Sequence, residues 1–389
     1  MFISTSPSLR MLLQCWREKI PVYQFVFNCR ISASYREKAK RLNGELEEAP
    51  IFSGLRLGEI EGQCLLGSKL KDLFQTQLPR LLFEIDQAHR FFESRRVTSV
   101  LLDEDVLPSK NAFCQVAHQF GVPTYVECHG SLGHKVGFLP LTADRILVWG
   151  RAQREKLIQW GCEPDRVKVT GCSRYDHYQP LDEKALRKEV AGRFRLDPTK
   201  KIILWAPCPL PPRRFLFEKT MRRANQEMLD VLLALTKETD VEFIIKLHPR
   251  DPAMSAYLNW IKRQQLSTRG VVVQTFDPLI LIKAADLLVA YYTTLAVDGF
   301  AMGKPVISLY PKSNLTLNEF RKFGIFHEAD SKEALDRLIH AWIRGRQDFP
   351  VRWKEARQEC LHEGNGAAAE CVREYLLDSH ENLLSPTPR

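Results

Sequence analysis

Short apolar runs alternate with amphipathic segments of helical length along nearly the whole chain, which is the pattern of parallel strands covered on both faces by helices. In the first half the runs Val22–Phe27, Val97–Leu102, Thr124–Glu127, Arg145–Trp149 and Val167–Thr170 predict strands. Ser34–Leu42, Leu65–Ser94, Lys110–Phe120 and Arg151–Trp160 predict helices, and the glycine-rich stretch Ala49–Gly67 has no period and reads as loop. The alternation pauses around Tyr178–Pro198, where Pro180, a charged helix and Asp197-Pro198 mark an expected domain boundary, giving residues 1–180 and 181–389.

A second series follows. Lys201–Ala206, Val241–Leu247, Val271–Gln274, Leu287–Ala290 and Pro305–Leu309 predict strands; Glu218–Thr236, Met254–Gln265, Pro278–Ala284 and Thr294–Ala301 predict the helices between them. Three closing helices are expected near Lys332–Gly345, Pro350–Glu363 and Ala367–Leu377, followed by a frayed tail that ends Pro386-Thr387-Pro388-Arg389. The expectation is therefore an α/β protein of two doubly wound Rossmann-like domains, with ligands held in a crevice at the carboxyl ends of the strands.

Composition narrows the class. A chain of 389 residues with 44% hydrophobic and 26% charged residues suits two ordered soluble domains. The net charge of +9 fits an anionic substrate or an anionic membrane surface, and without a long basic stripe it excludes a nucleic-acid footprint. Ten cysteines without a Cys-x-x-Cys pair fit reduced thiols in a cytoplasm. No run approaches the roughly 18 apolar residues of a membrane span, so the sequence reads as cytoplasmic, with peripheral contact at the inner face of the membrane as a further option.

Several strand ends carry chemistry. Thr293 and Thr294 open a helix after the strand Leu287–Ala290, where a helix start favours an anion; the plainer reading is a helix cap. In Lys246-Leu247-His248-Pro249-Arg250 the proline stops a strand, so that His248 and Arg250 reach a carboxyl edge as phosphate contacts or simply as surface residues. The loop Glu127-Cys128-His129-Gly130-Ser131-Leu132-Gly133-His134-Lys135-Val136-Gly137 offers backbone that can approach a ligand and, in His129, a general base; alternatively it is a mobile connection. Asp103-Glu104-Asp105 has three readings: a metal-bridging pair, a general base, or a solvated helix-capping loop. Arg213 and Arg214, in the proline-rich loop after Lys201–Ala206, are phosphate clamps or solubilising charges.

Taken in order, these segments resemble the CDP-glycerol glycerophosphotransferases and the related capsule and surface-polysaccharide transferases. His129-Gly130 with Lys135 and Gly137 is similar to that family's Trp-His-Gly-Thr-Pro-type loop, Thr170–Asp176 to its Gly-x-Pro-Arg-x-Asp turn, and Ile203–Pro207 to its Ile-Leu-Tyr-Ala-Pro strand. Lys246–Pro249 resembles its Lys-x-His-Pro, and Asp286 through Tyr292-Thr293-Thr294, Asp298 and Lys304-Pro305 its Asp-Tyr-Ser-Ser segment. Tyr291, Cys128, Ser131-Leu132 and Cys172-Ser173 depart from the pattern beside these matches.

The resemblance implies a GT-B architecture and transfer of a glycosyl or glycerophosphate unit from a cytidine or uridine nucleotide donor to a hydroxyl of a glycan or lipid-linked acceptor. It implies His129 as the base, with Glu104 or Asp105 taking that role if the chain is closer to bacterial sialyltransferases. His248, Thr293 and Thr294 would contact the donor phosphates, joined on residue chemistry by Arg250 and Arg213; no cofactor and no metal are needed. Gly364-Asn365-Gly366 is similar to a closing segment of sugar-nucleotide epimerases, the alternative activity, beside a non-catalytic glycan-binding role.

Overall fold

A computed structural model describes residues 2–3, 23–27, 30–47, 56–57, 60–61, 73–207, 218–249, 251–291, 293–309, 318–345, 353–362 and 368–384. In chain order the first strands are β1 Phe2–Ile3, β2 Tyr23–Gln24, the antiparallel pair β3 Arg56–Leu57 and β4 Ile60–Glu61, then β5 Val100–Leu102, β6 Thr124–Glu127, β7 Arg145–Val148 and β8 Val167–Val169. All of these except β3 and β4 form a six-stranded sheet in the order β2-β1-β5-β6-β7-β8. A second six-stranded sheet follows, built from β9 Lys201–Ala206, β10 Val241–Lys246, β11 Gly270–Val273, β12 Leu287–Tyr291, β13 Val306–Leu309 and β14 His327–Ala329, in the order β11-β10-β9-β12-β13-β14.

The second sheet is parallel at every pairing, and its strand order reverses after β9, the topology of a doubly wound α/β domain. Its central strands are apolar at nearly every position because both faces are covered. On one face Ile203, Trp205, Phe243, Ile245 and Val289 pack against Met228, Leu232 and Leu235 of the helix Glu218–Glu238 and against Leu335 and Ile339 of the helix Lys332–Ile343. Full burial of side chains of this size contributes roughly 1.5–3 kcal/mol each, so this layer holds the second sheet rigid under the loops at its carboxyl ends.

Helix starts follow local chemistry. Asp277 caps the helix Pro278–Ala284 by accepting from the amides of Leu279 and Ile280, with proline at the first helical position. Asp182 and Ser331 do the same for Glu183–Phe194 and Lys332–Ile343.

Four strands escaped the sequence pattern: β1, the β3–β4 pair inside the stretch read as loop, and β14. Each has only two or three residues, too few to show a period, and β14 is an edge strand with a polar start that needs only one hydrogen-bonded neighbour.

The chain divides into two compact units. One comprises Met1–His129, Phe138–Leu147 and Glu374–Arg389; the other comprises Gly130–Gly137 and Val148–Arg373. The boundary expected at residue 180 separates the strands of the two sheets, but it falls inside the second unit. Residues 148–180 pack there because Gly150 lies against the backbone of Glu359 and Cys360, and the Asp176 carboxylate accepts from the amide of Ala369, at 2.7 Å, at the start of the helix Ala368–Leu384.

Candidate functional site

In the second unit, β12 ends at Tyr291, and the half-buried Thr293 and Thr294 lead into the helix Leu295–Ala301. Tyr292 lies outside the described residues. The first turn uses more of its donors than its sequence suggests. The Leu295 amide donates to the Thr293 hydroxyl at 3.3 Å, Ala296 to the Thr293 carbonyl, and Val297 and Asp298 to the Thr294 carbonyl. The tight opening turn thus satisfies the amides of residues 295–298, and the Thr294 hydroxyl is left uncommitted to the cap.

A glycine-rich loop meets that hydroxyl. A Cβ placed on Gly130 would lie 3.1 Å from Thr294 Oγ1, so the absence of a side chain at 130 is what allows the approach. Gln153, fully buried, holds the loop: its Oε1 accepts from the Trp149 amide at 2.9 Å, and its Nε2 donates to the Gly130 carbonyl at 3.0 Å. Glu319 holds the next turn, its Oε1 accepting from the Leu132 amide at 2.6 Å. Burial pushes the Glu319 carboxyl above its usual range, and its Oε2 is enclosed without a hydrogen-bond partner among the described residues. Neither Gln153 nor Glu319 carries a motif, and no sequence signal singles them out.

Beside Thr294 lies a buried ion pair. Asp298 is 2% exposed; its Oδ1 accepts from Arg174 Nη2 and, at 2.7 Å, from the Tyr175 hydroxyl. The guanidinium lies over the rings of Trp149 and Tyr175, 5.7 and 5.3 Å from their centroids. Burial works against its charge, and the Asp298 carboxylate outweighs that, so Arg174 remains cationic. Two segments that resembled one family separately, Thr170–Asp176 and the stretch through Asp298, are thus joined by a side-chain contact spanning 124 positions.

Lys246, at the end of β10, is buried, and its ammonium is spent on the carbonyls of Leu247 and Gln274, both at 2.8 Å. Burial lowers its pKa. His248 is exposed just beyond the strand, and its carbonyl accepts from the Asp251 amide and from Gln274 Nε2. Arg250, Arg213, Arg214 and Gly364-Asn365-Gly366 lie outside the described residues.

In the first unit, His129 is exposed beyond β6 and stacks on Phe138 with ring centroids 5.4 Å apart. Its Nδ1 lies 2.9 Å from the Asp103 carbonyl oxygen, which can only accept, so Nδ1 carries the hydrogen. In the neutral ring that leaves the Nε2 lone pair for a proton.

The acidic triplet is divided among different partners. Asp103 and Glu104 both accept from Lys110, at 2.7 and 2.8 Å. Burial opposes the Lys110 charge, but these two hydrogen bonds prevail and raise its pKa. Asp105, 2% exposed, accepts from the amides of Thr142 and Ala143 at 2.6 and 2.7 Å. This corrects two expectations. Asp105 as a base is replaced by a structural acceptor closed off from solvent, and a metal-bridging triplet by carboxylates bound to an ammonium and to amides. Among the described residues no group of three or more His, Cys, Asp or Glu side chains is arranged to hold a metal ion.

No protein-family profile matches the chain, and no curated protein is detectably similar in sequence. Solved structures are similar in fold. The UDP-GlcNAc 2-epimerase of Methanocaldococcus jannaschii, solved with UDP-GlcNAc and UDP, superposes with a TM-score of 0.60 at 14% identity, covering 97% of this chain and 98% of that one. The UDP-GlcNAc 2-epimerase of Neisseria meningitidis bound to UDP-GlcNAc gives the same values, 0.60, 14%, 97% and 98%. A glycosyltransferase from Rickettsia africae superposes with a TM-score of 0.53 at 13% identity over 99% of this chain and 90% of that chain. The fold is therefore α/β of the GT-B type, as expected from the alternation of strands and helices. Among the described residues no helix is long and apolar enough to cross a membrane.

Proposed function

We propose that this chain is a GT-B transferase that moves a glycosyl or glycerophosphate unit from a cytidine or uridine nucleotide donor to a hydroxyl of a glycan or lipid-linked acceptor in surface-polysaccharide synthesis. The observation that carries the reading is the approach of Gly130 to the Thr294 hydroxyl, which brings together two segments that separately resemble the CDP-glycerol transferases. Solved structures of the same fold whose names record bound UDP and UDP-GlcNAc support a nucleotide-linked ligand.

In this reading the second unit holds the donor phosphate through Thr293 and Thr294, with His248 as a further donor. The imidazole of His129, with Nδ1 fixed on the Asp103 carbonyl, takes the proton of the acceptor hydroxyl at Nε2. The oxygen attacks the transferred carbon or phosphorus as the bond to the nucleotide breaks, and the leaving phosphate keeps the bonding electron pair. Placement and hydrogen bonds to the developing charge would carry the catalysis.

A panel of CMP-, CDP- and UDP-linked compounds tested by thermal shift checks the donor class: selective stabilisation by one nucleotide is expected, and a flat response across the panel removes the reading. Sugar-nucleotide epimerisation is a second reading, favoured by the names of the similar structures. Incubating the chain with donor alone separates the two, since an epimer or a free sugar formed without acceptor is the outcome expected only of the second.

A further inference from the structure

The arginines singled out by sequence pattern lie outside the described residues; within them, Arg174 is a cation tied to the hydroxyl-pair helix. A guanidinium carries five N–H donors. Nη2 donates to Asp298 Oδ1 and, at 3.3 Å, to the Tyr175 hydroxyl; Nε is enclosed and has no partner among the described residues, and no bond from Nη1 to a described residue is present. The pair is also unequally exposed: the Asp298 side chain is 3% accessible and that of Arg174 22%. The anion is sealed, while part of the Arg174 side chain stays accessible.

Position links that cation to Thr294. The Asp298 amide donates to the Thr294 carbonyl at 3.0 Å, the spacing of one helical turn, so the two residues share a helix face with Cβ atoms about 5–6 Å apart. The guanidinium lies over the rings of Trp149 and Tyr175 and is bonded to Asp298, so part of its ordering cost is met before any ligand arrives. Were Arg174 only the counter-ion of Asp298, nothing in the pair would require a donor-rich planar group, most of whose N–H donors are left without a described partner.

We propose that Arg174 is a phosphate contact of the nucleotide-linked donor, positioned by Asp298, Tyr175 and Trp149 beside the Thr294 hydroxyl. The proposal rests on the reading that the second unit holds the donor phosphate. Asp298 and Tyr175 are positioning residues that act through Arg174, and the ligand chemistry is that of a phosphate or diphosphate oxyanion.

The test measures binding of UDP, CDP, uridine and cytidine to the full chain by calorimetry, for the wild type, Arg174→Lys, Asp298→Asn and the double variant Arg174→Gln/Asp298→Asn. The double variant removes both charges together and so avoids leaving one buried and unpaired. It is expected to fold and to lose about ten- to a hundredfold in affinity for the nucleoside diphosphate, the range of a lost charge-assisted hydrogen bond, with nucleoside affinity unchanged. Arg174→Lys should keep the fold and lose part of the same affinity, because a point charge replaces the fork. A folded double variant that binds the diphosphate as the wild type does overturns the role of Arg174 while leaving the donor reading intact. If the double variant does not fold, Arg174→Lys decides, and unchanged diphosphate affinity overturns the role. A wild-type chain that binds neither diphosphate removes the donor reading and this proposal with it.

Discussion

At the residue scale, neighbouring polar side chains have opposite uses according to their partners. His129 spends one ring nitrogen on a carbonyl and stacks on Phe138, which orients the ring and leaves its other nitrogen outside that bond. His129→Ala is expected to lower turnover by about 10²–10⁴-fold with the thermal midpoint nearly unchanged, measured as kcat and by thermal melting. Asp105, two residues from the Asp103 carbonyl, is committed to two amides and should behave in the reverse way. Asp105→Ala leaves the buried Ala143 and half-buried Thr142 N–H groups without this acceptor and should cost about 3 kcal/mol in denaturant unfolding. Asp105→Asn, which keeps one acceptor oxygen, should cost less, and activity per folded molecule should hold in both. Loss of activity in a fully folded Asp105→Asn chain would return this carboxylate to the catalytic list.

At the element scale, the short helix Leu295–Ala301 depends on how closely it lies on its sheet. A Cβ at Gly299 would come within 2.7 Å of both Leu288 Cδ2 and Val306 Cγ2, side chains of the two strands that flank the helix in sequence. Gly299→Ala should therefore lift the helix and cost roughly 1–3 kcal/mol. Because the same helix carries Thr294 at one end and Asp298 in its first turn, nucleotide affinity should fall with stability. A variant with wild-type melting and binding would show that the packing yields there. The helix itself was legible in sequence from the apolar run, the paired threonines and Gly303. Its tight first turn was not, because bifurcated hydrogen bonding is decided by how the chain leaves β12.

At the scale of the whole molecule, stability should carry a signature of buried charge. Burial raises the Glu319 carboxyl above the ordinary glutamate range. The folded state then binds the proton more tightly than the unfolded chain, so the group's favourable contribution is complete below the ordinary range and is lost as pH rises through the raised folded value. Glu319→Gln keeps an oxygen for the Leu132 amide and removes the charge. It should melt higher than the wild type at pH 7–8, with the difference closing near pH 4 in a pH series of melting curves. A destabilised Glu319→Gln at neutral pH would mean that the charge itself holds the Gly130–Gly137 segment.

The alternation of apolar and polar runs by itself determined the α/β class, the two sheets and most strand positions, because a strand buried on both faces must be apolar throughout and its covering helices must be amphipathic. The motifs at Gly130, Thr170–Asp176 and Thr293–Asp298 were also readable, since glycine, hydroxyl and acidic residues after an apolar run mark the carboxyl end of a strand. Their meeting was not. Only the tertiary structure decided that Gly130 touches Thr294, that Arg174 pairs with Asp298, that Asp105 faces amides, and that residues 148–180 pack with the second unit. Local pattern records which face of an element is buried, whereas the partner of a side chain depends on long-range packing that brings distant positions within a few ångströms.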